Sequence, residues 1–369
     1  MLLRLLALIK KEFLALLKDK RSRLTIIGPP IFQLFVFGYA ASFDLDHVPF
    51  MIYNEDRGVA SRALEARFKG APSFEYRGEI DHDEAITPAI DERRVLAVLH
   101  IGPRFTEDLA RGLPAPVQLI IDGRNSNTAL ILFNYARSIL IDFNRYWAHE
   151  HGRAPPPAVI QARAWYNPNL ESRWFIVPGI IVLLSLVVTV LITAMSVARE
   201  REAGTFDQLL VTPLRPVDIL IGKSVPGLVI GLIEGTVIVL ITVYWFGVPL
   251  NGSLLALYIG FALFLLSAIG VGLMISSLAV TQQQGLLGGF LFLVPAVILS
   301  GFATPIANMP VAVQYLTYLN PMRYFLIVVR GVFLEGNDYA LLVSQYWPMA
   351  VIGLVSLALA GWLFRHRMY

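Results

Sequence analysis

The chain contains no cysteine, which excludes disulfides and thiolate-held metals. Charge is also scarce. Asp, Glu, Lys and Arg make up 15% of the 369 residues, against about 25% in an ordinary soluble domain. The shortage is uneven: none of the four occurs over residues 24–43, 174–198 or 339–364, nor over the 88 residues from Gly235 to Met322. A helix needs about 20 apolar residues to cross the hydrocarbon core of a bilayer. These gaps therefore predict membrane spans, and the longest must hold several. A large soluble core does not run that far without a charge.

Six spans are expected, over 24–43, 174–198, 224–247, 254–279, 285–304 and 347–364, with polar breaks at 248–253 and 281–284. The first 23 residues do not form a signal peptide, because Arg4, Lys10, Lys11 and Glu12 interrupt the apolar run. Leu2, Leu5, Leu6, Ile9, Phe13, Leu16 and Leu17 keep helical spacing. That spacing predicts an amphipathic helix, lying on the membrane surface or packed on protein. Lys and Arg set orientation through short segments near span ends. Segments 1–23, 199–223 and 365–369 carry 13 of them, against only Arg323 and Arg330 in the short segments on the other side. Both termini and the loop 199–223 are therefore expected in the cytoplasm.

Residues 44–173 would then lie outside, and their pattern is that of a folded domain. The runs VPFMIYN, RVLAVLHIG and PVQLIID read as buried strands. ASRALEARF and ITPAIDERR read as helices, a long helix is expected over 126–151, and a last strand within 153–168. Alternating strands and helices predict an α/β layer fold. The histidines at 47, 82, 100, 149 and 151 are scattered without metal-ligand spacing, so a binding or docking module is expected there.

Several stretches resemble chemistry. Ile221–Ser224 reads IGKS, the end of a phosphate-binding loop, but the glycine that motif needs at position 217 is Val217. Lys223 is thus expected to be an interfacial charge at a span end, and no nucleotide or cofactor site is expected on this chain. Glu234 falls in the middle of the third span, where an ionisable group is costly and marks a candidate site. It either packs, protonated or hydrogen-bonded across a helix interface, or lies on a substrate or proton path. Gly227, Gly231 and Gly235 recur beside it at four-residue spacing, a face for close helix approach or dimer contact. The apolar stretch 305–330 is broken by prolines and predicts short helices re-entering the membrane from outside. Asn320, Pro321, Arg323 and Arg330 are its candidate anchors or gate residues.

The loop AREREAGTFDQLLVTPLRP packs alternating charges before a short amphipathic stretch. Thr205 and Gln208 have capping-box spacing, Pro213 limits the helix they would start, and Pro216 suits the first turn of the next. Such a rigid element is suited to being gripped by another protein. AREREAGTFDQLLVTPLRPVDILIGKSVP and LNPMRYFLIVVRGVFLEG together resemble the ABC type-2 exporter permeases, as do the order of terminal helix, span, large domain and five further spans. The resemblance implies a permease subunit of a bacterial inner membrane. Such a subunit pairs with a second permease copy or homologue and with separate ATPase subunits that bind ATP and Mg²⁺. It leaves room for a periplasmic adaptor and gives no role to nucleic acid. It also implies that Glu200, Glu202, Gly204, Thr205, Phe206 and Leu209 couple to the ATPase, with Glu200, Glu202, Gly204, Thr205 and Leu209 seating in its groove. Two competing readings are a proton-driven secondary transporter using Glu234 and a membrane-anchored receptor working through residues 44–173.

Overall fold

The computed structural model describes residues 2–18, 20–40, 45, 47–152, 166–168, 171–205 and 215–366. The chain divides into two compact units, one made of residues 1–42 and 164–369 and the other of residues 43–163.

The first unit opens with α1 (Leu2–Lys18) and α2 (Lys20–Ala40), the second of which carries Pro29 and Pro30 inside it. The second unit follows as β1 (Val48–Asn54), α3 (Val59–Lys69), β2 (Phe74–Glu79), α4 (Ile86–Asp91), β3 (Ala97–Ile101), α5 (Phe105–Arg111), β4 (Val117–Ile121) and α6 (Ser126–Glu150). Its strands form one sheet in the order β2-β1-β3-β4. β1 is parallel to both neighbours, and β4 runs antiparallel to β3. Phe50, Ile52 and Leu99 face Leu64, Phe68, Leu132 and Phe143 of the helices. Val98 faces the other way, with Ile80, Ile86 and Ala89. The unit is thus an α/β layer structure, as the alternating pattern predicts. The sequence reading missed β2, whose residues FEYRGE bury only Phe74, because a polar edge strand lacks the apolar run. The strand expected within 153–168 falls mainly outside the described residues. His100 is engaged by Gln118 and Glu55 and stacks on Tyr53.

The first unit resumes with α7 (Ser172–Ala194), α8 (Ser196–Glu202), α9 (Pro216–Tyr244), α10 (Leu254–Leu278) and α11 (Gln282–Ile298). It ends with the short helices α12 (Val311–Leu316) and α13 (Pro321–Arg330), then α14 (Tyr339–His366). Among the described residues, four stretches are long and apolar enough to cross a membrane: Ser172–Glu202, Val217–Tyr244, Leu254–Leu278 and Tyr339–His366. Gln282–Ile298 is apolar but shorter, at 17 residues. Helix also extends further along the 199–223 loop than the charge pattern suggests. Residues 199–202 belong to α8, and α9 starts at Pro216 rather than at 224.

Small residues let these helices close on one another. Helices α10 and α14 pack closely. Ser267 Oγ donates to the Met349 carbonyl at 2.7 Å, Tyr346 Oη donates to that of Ala256 at 2.9 Å, and Ser356 lies where a methyl on Gly270 would go. The glycine face of α9 is used in the same way, within the chain. Gly227 meets Thr193, Gly231 meets Thr189 and Leu265, and a methyl at Gly235 would overlap the Phe261 ring. Helices α7 and α10 therefore fill that face, which corrects the expectation of a dimer contact there.

Candidate functional site

The loop that joins α8 to α9 spans residues 203–215, and of these 206–214, with Phe206, Leu209 and Gln208, lie outside the described residues. Its two stems are described, and their geometry is informative. Helix α8 closes in a Schellman turn. Gly204 takes a left-handed φ of +66°, its amide donates to the Arg201 carbonyl at 3.1 Å, and the Thr205 amide donates to the Glu200 carbonyl at 3.0 Å. Glycine adopts that φ at no steric cost. On the other stem Pro216 occupies the first turn of α9, and Asp218 Oδ2 accepts from the Arg215 amide at 3.1 Å. The first four amides of a helix lack intrahelical carbonyl partners, and a proline at that place gives up only one of them.

Below the stems, α8 is fastened to its neighbours by polar contacts. Ser276 Oγ accepts from the amides of Val197 and Ala198. Arg201 donates to the carbonyls of Ser277 and Ala279. Glu202 accepts from the Gln282 amide at 2.8 Å, at the start of α11, where the helix dipole favours a negative charge. These contacts engage carbonyls at the end of α10 and the first amide of α11, so α8 is tied to both.

The centre of the arrangement is Lys223, about two turns into α9. Its side chain is wholly buried. Nζ lies 2.8 Å from Glu200 Oε2 of α8 and 3.1 Å from Glu12 Oε1 of α1, with Ser196 Oγ at 3.5 Å. Lys11 Nζ reaches the other oxygen of Glu200 at 2.7 Å. Two lysines and two glutamates from three helices thus form one ion cluster, buried except at Lys11. Glu12 and Glu200 are 8% and 7% exposed. Burial outweighs the attraction of Lys223 at Glu12 and raises the pKa of its carboxyl. Two expectations are corrected here. Lys223 is not an interfacial charge but the hub that ties α1, α8 and α9. Glu200 does not present its carboxylate outward to seat in a partner's groove, because both its oxygens are held inside the chain.

Helix α1 is built to reach this hub. Its buried positions are Leu8, Glu12 and Leu16, while Leu3, Leu6, Leu14 and Leu17 stay exposed. The stripe read from the sequence is therefore rotated, and two of its seven members, Leu6 and Leu17, lie on the exposed side. Leu8 packs into the space that a side chain at Gly222 would fill, and Leu16 joins Val188, Ile192 and Ile230. A helix that shows one apolar face to protein and another outward has two stripes, and pattern alone does not tell which is which. The IGKS run lies within α9, where Gly222 meets Leu8, Lys223 is paired and Ser224 Oγ donates to the Leu220 carbonyl. Its amides belong to the helix ladder and do not form a phosphate-binding loop.

Glu234 lies eleven residues along α9 from Lys223. Both its carboxylate oxygens are buried without a hydrogen-bond partner among the described residues. The hydroxyls of Ser185 and Thr189 on α7 are in the same condition. Gly231 sits against Thr189, and one antiparallel turn further brings Glu234 to the level of Ser185. In segment 305–335, Asn320 caps α13 by accepting from the Met322 amide and donates to the Ala296 carbonyl at 2.6 Å. Pro321 fills the first turn. Arg323 donates to Thr317 Oγ1 and lies 4.1 Å over the Tyr318 ring. Arg330 stands apart from these three, with its guanidinium 3.9 Å over the Phe175 ring. The sequence reading missed Lys11, Glu12 and Lys223 as a functional group. The available signal was Glu12, a charge four residues from Leu8 and from Leu16 on a helix with leucines on every side.

Residues 20–362 match the model of the ABC-2 family transporter proteins. The chain belongs to that family. It is 37% identical over 364 residues to the Escherichia coli probable multidrug ABC transporter permease YbhR, covering 99% of both chains. It is 32% identical over 346 residues to YbhS of the same organism, also named a probable multidrug ABC transporter permease, covering 92% of this chain and 91% of that one. The inner membrane transport permease YhhJ of Escherichia coli is 28% identical over 351 residues, covering 93% and 92%. As a member of this ABC-2 family, the chain is a membrane permease homologue, and its long apolar helices fit that identity.

Proposed function

We propose that this ABC-2 family chain is the permease subunit of an ATP-driven exporter. It would move a hydrophobic or amphipathic substrate, drug-like or lipid-like, out of the cytoplasm or the inner leaflet. Separate ATPase subunits bind ATP and Mg²⁺ and grip loop 203–215. The observation that carries this reading is the Lys223 cluster, which locks both stems of that loop and α1 into one body. A push on the loop then displaces α8, α9 and α1 together, and through Glu202 the start of α11. The energy is limited by the ATPase's differential affinity for the two states of the permease. Loop residues Gly204 and Thr205, with Phe206 and Leu209 beyond them, form the contact element.

In this reading the chain lies in a bacterial inner membrane, and the lysine and arginine bias supports a cytoplasmic location for this end and both termini. The six spans then include α2 and α11, and the α/β unit stands outside, open to a periplasmic adaptor. Asn320, Pro321, Arg323 and Arg330 shape the outer end of the path. The glycine face of α9 is filled, so a second permease copy or homologue docks elsewhere. Leu287, Leu291, Val294 and Ile298 form an exposed apolar row along α11 that offers such a surface. Glu234, with Ser185 and Thr189, supplies unpartnered polar atoms for a polar group on the substrate.

The test is ATP-dependent uptake of an amphipathic dye into inside-out vesicles holding the permease and its ATPase. Glu202→Lys is expected to reduce uptake at least fivefold with the chain still in the membrane. Normal uptake in that variant sinks the lever. Uptake driven by a proton gradient without the ATPase replaces this reading by the proton-coupled one.

A further inference from the structure

A groove of about 1080 Å³ runs between α9 and α14 with α10 as its floor. Ile221, Val225 and Leu228 line one wall, Leu354 and Ala358 the other, and Leu266 the bottom. No Asp or Glu lines it, yet Arg215 and Arg365 both do. The two arginines come from the start of α9 and the end of α14, antiparallel helices, so they stand at the same end of the groove on facing walls. Both residues are exposed. Asp218, the nearest acid in sequence, is buried and is engaged by the backbone of Arg215 rather than by its guanidinium. Trp362, half exposed, lines the groove one turn in from Arg365, the depth at which an amphipathic ring marks a membrane–water boundary.

A surface that only faces lipid tails has no use for two guanidinium groups. Guanidinium matches phosphate in charge and in its paired donors, and basic pockets between membrane helices hold anionic headgroups. The length also fits. Arg215 to Leu228 spans about 20 Å of helix rise, enough to run from a headgroup across one leaflet's share, about 15 Å, of the hydrocarbon core.

We infer that this groove binds one anionic phospholipid of the leaflet at that end. Its phosphate is held between Arg215 and Arg365, and one acyl chain lies along Ile221, Val225 and Leu228. The site lies on the opposite side of α9's first turns from the Lys223 cluster, so the lipid packs against the same helix that leads out of the loop.

The full chain, assembled in nanodiscs of phosphatidylcholine with a tenth phosphatidylglycerol, is released into a mass spectrometer under native conditions and its retained lipids are counted. Retained phosphatidylglycerol is expected to be enriched at least fivefold over its share of the bilayer. The double variant Arg215→Gln/Arg365→Gln is expected to lose that enrichment, and Arg365→Lys to keep most of it. Ala358→Phe, which narrows the groove without touching charge, is expected to lower retention of either lipid. Equal retention of both lipids by the wild type, or unchanged enrichment in the double variant, overturns the site. Because the chain has no cysteine, Leu354→Cys gives a clean second measurement. A disulfide-linked pair of chains in the membrane means that another copy fills the groove, and the lipid assignment fails. All of these readouts follow lipid or chain contacts and stand whether or not the chain exports.

Discussion

Lys223 and Glu234 both lie buried on helix α9, and the protein treats these two side chains in opposite ways. Lys223, near the loop, has two glutamates and a serine hydroxyl within 3.5 Å, drawn from two other helices. Glu234, three turns further, has no hydrogen-bond partner among the described residues. The first arrangement holds the fold together, since three helices meet at one ammonium. The second contributes no bond to the fold, and a bare carboxyl in an apolar interior is costly. The difference separates a structural joint from a group kept for something that binds or moves.

The largest expected effect comes from breaking the joint. Lys223→Met leaves Glu12 and Glu200 buried without their shared cation, and breaking such a group costs about 3–5 kcal/mol. Thermal unfolding of the purified permease should show that loss, with less protein in the membrane. An unchanged midpoint would mean that the cluster is not a joint. Glu12→Gln is milder, about 1 kcal/mol, because the amide oxygen still accepts from Lys223. Its pH signature is specific. The folded state holds the Glu12 proton more tightly than the unfolded chain does. The wild type therefore gains stability as pH falls from that raised value towards the ordinary carboxylate value of about 4.3. Below the ordinary value the contribution is complete, and it is lost as pH rises through the raised one. The Gln variant should lack that part of the slope, and an unaltered pH profile of the unfolding midpoint would count against it.

Lys11 stands at the rim, with its side chain 51% exposed. Lys11→Met should cost no more than about 1 kcal/mol, since solvent screens the pair. A loss equal to that of Lys223→Met would extend the joint to the rim. The smallest effect on stability is expected at the other region. Glu234→Gln removes no contact and should leave the unfolding midpoint in place, while ATP-driven dye uptake changes in rate or in its dependence on pH. Unchanged uptake at every pH, with stability intact, makes Glu234 a packing residue and erases the contrast with Lys223.

The way each region could be read from the sequence follows the same division. The apolar helices were legible because a missing charge is a local property, visible in a window of about 20 residues. The strands β1, β3 and β4 were legible for the same reason, while β2 was not, because its polar residues carry no run. The Schellman close of α8 was half legible: Gly204 marks it, but Thr205, read as a helix start, also ends the preceding helix. The helix expected at Phe206 lies outside the described residues. The glycines of α9 were correctly read as a close-packing face. What met them was not visible, since Phe261, Leu265 and Thr189 lie on helices before and after α9.

The sequence by itself therefore determined which segments are too apolar for water, the alternation of the α/β unit and, through the loop motif, the family. Only the tertiary structure decided which charges are joints and which stand alone. Lys223 and Glu12 are 211 residues apart, and Lys11 and Glu200 are 189 apart. A burial cost is set by the partners that arrive in space, and no pattern along the chain reveals which distant helix brings them.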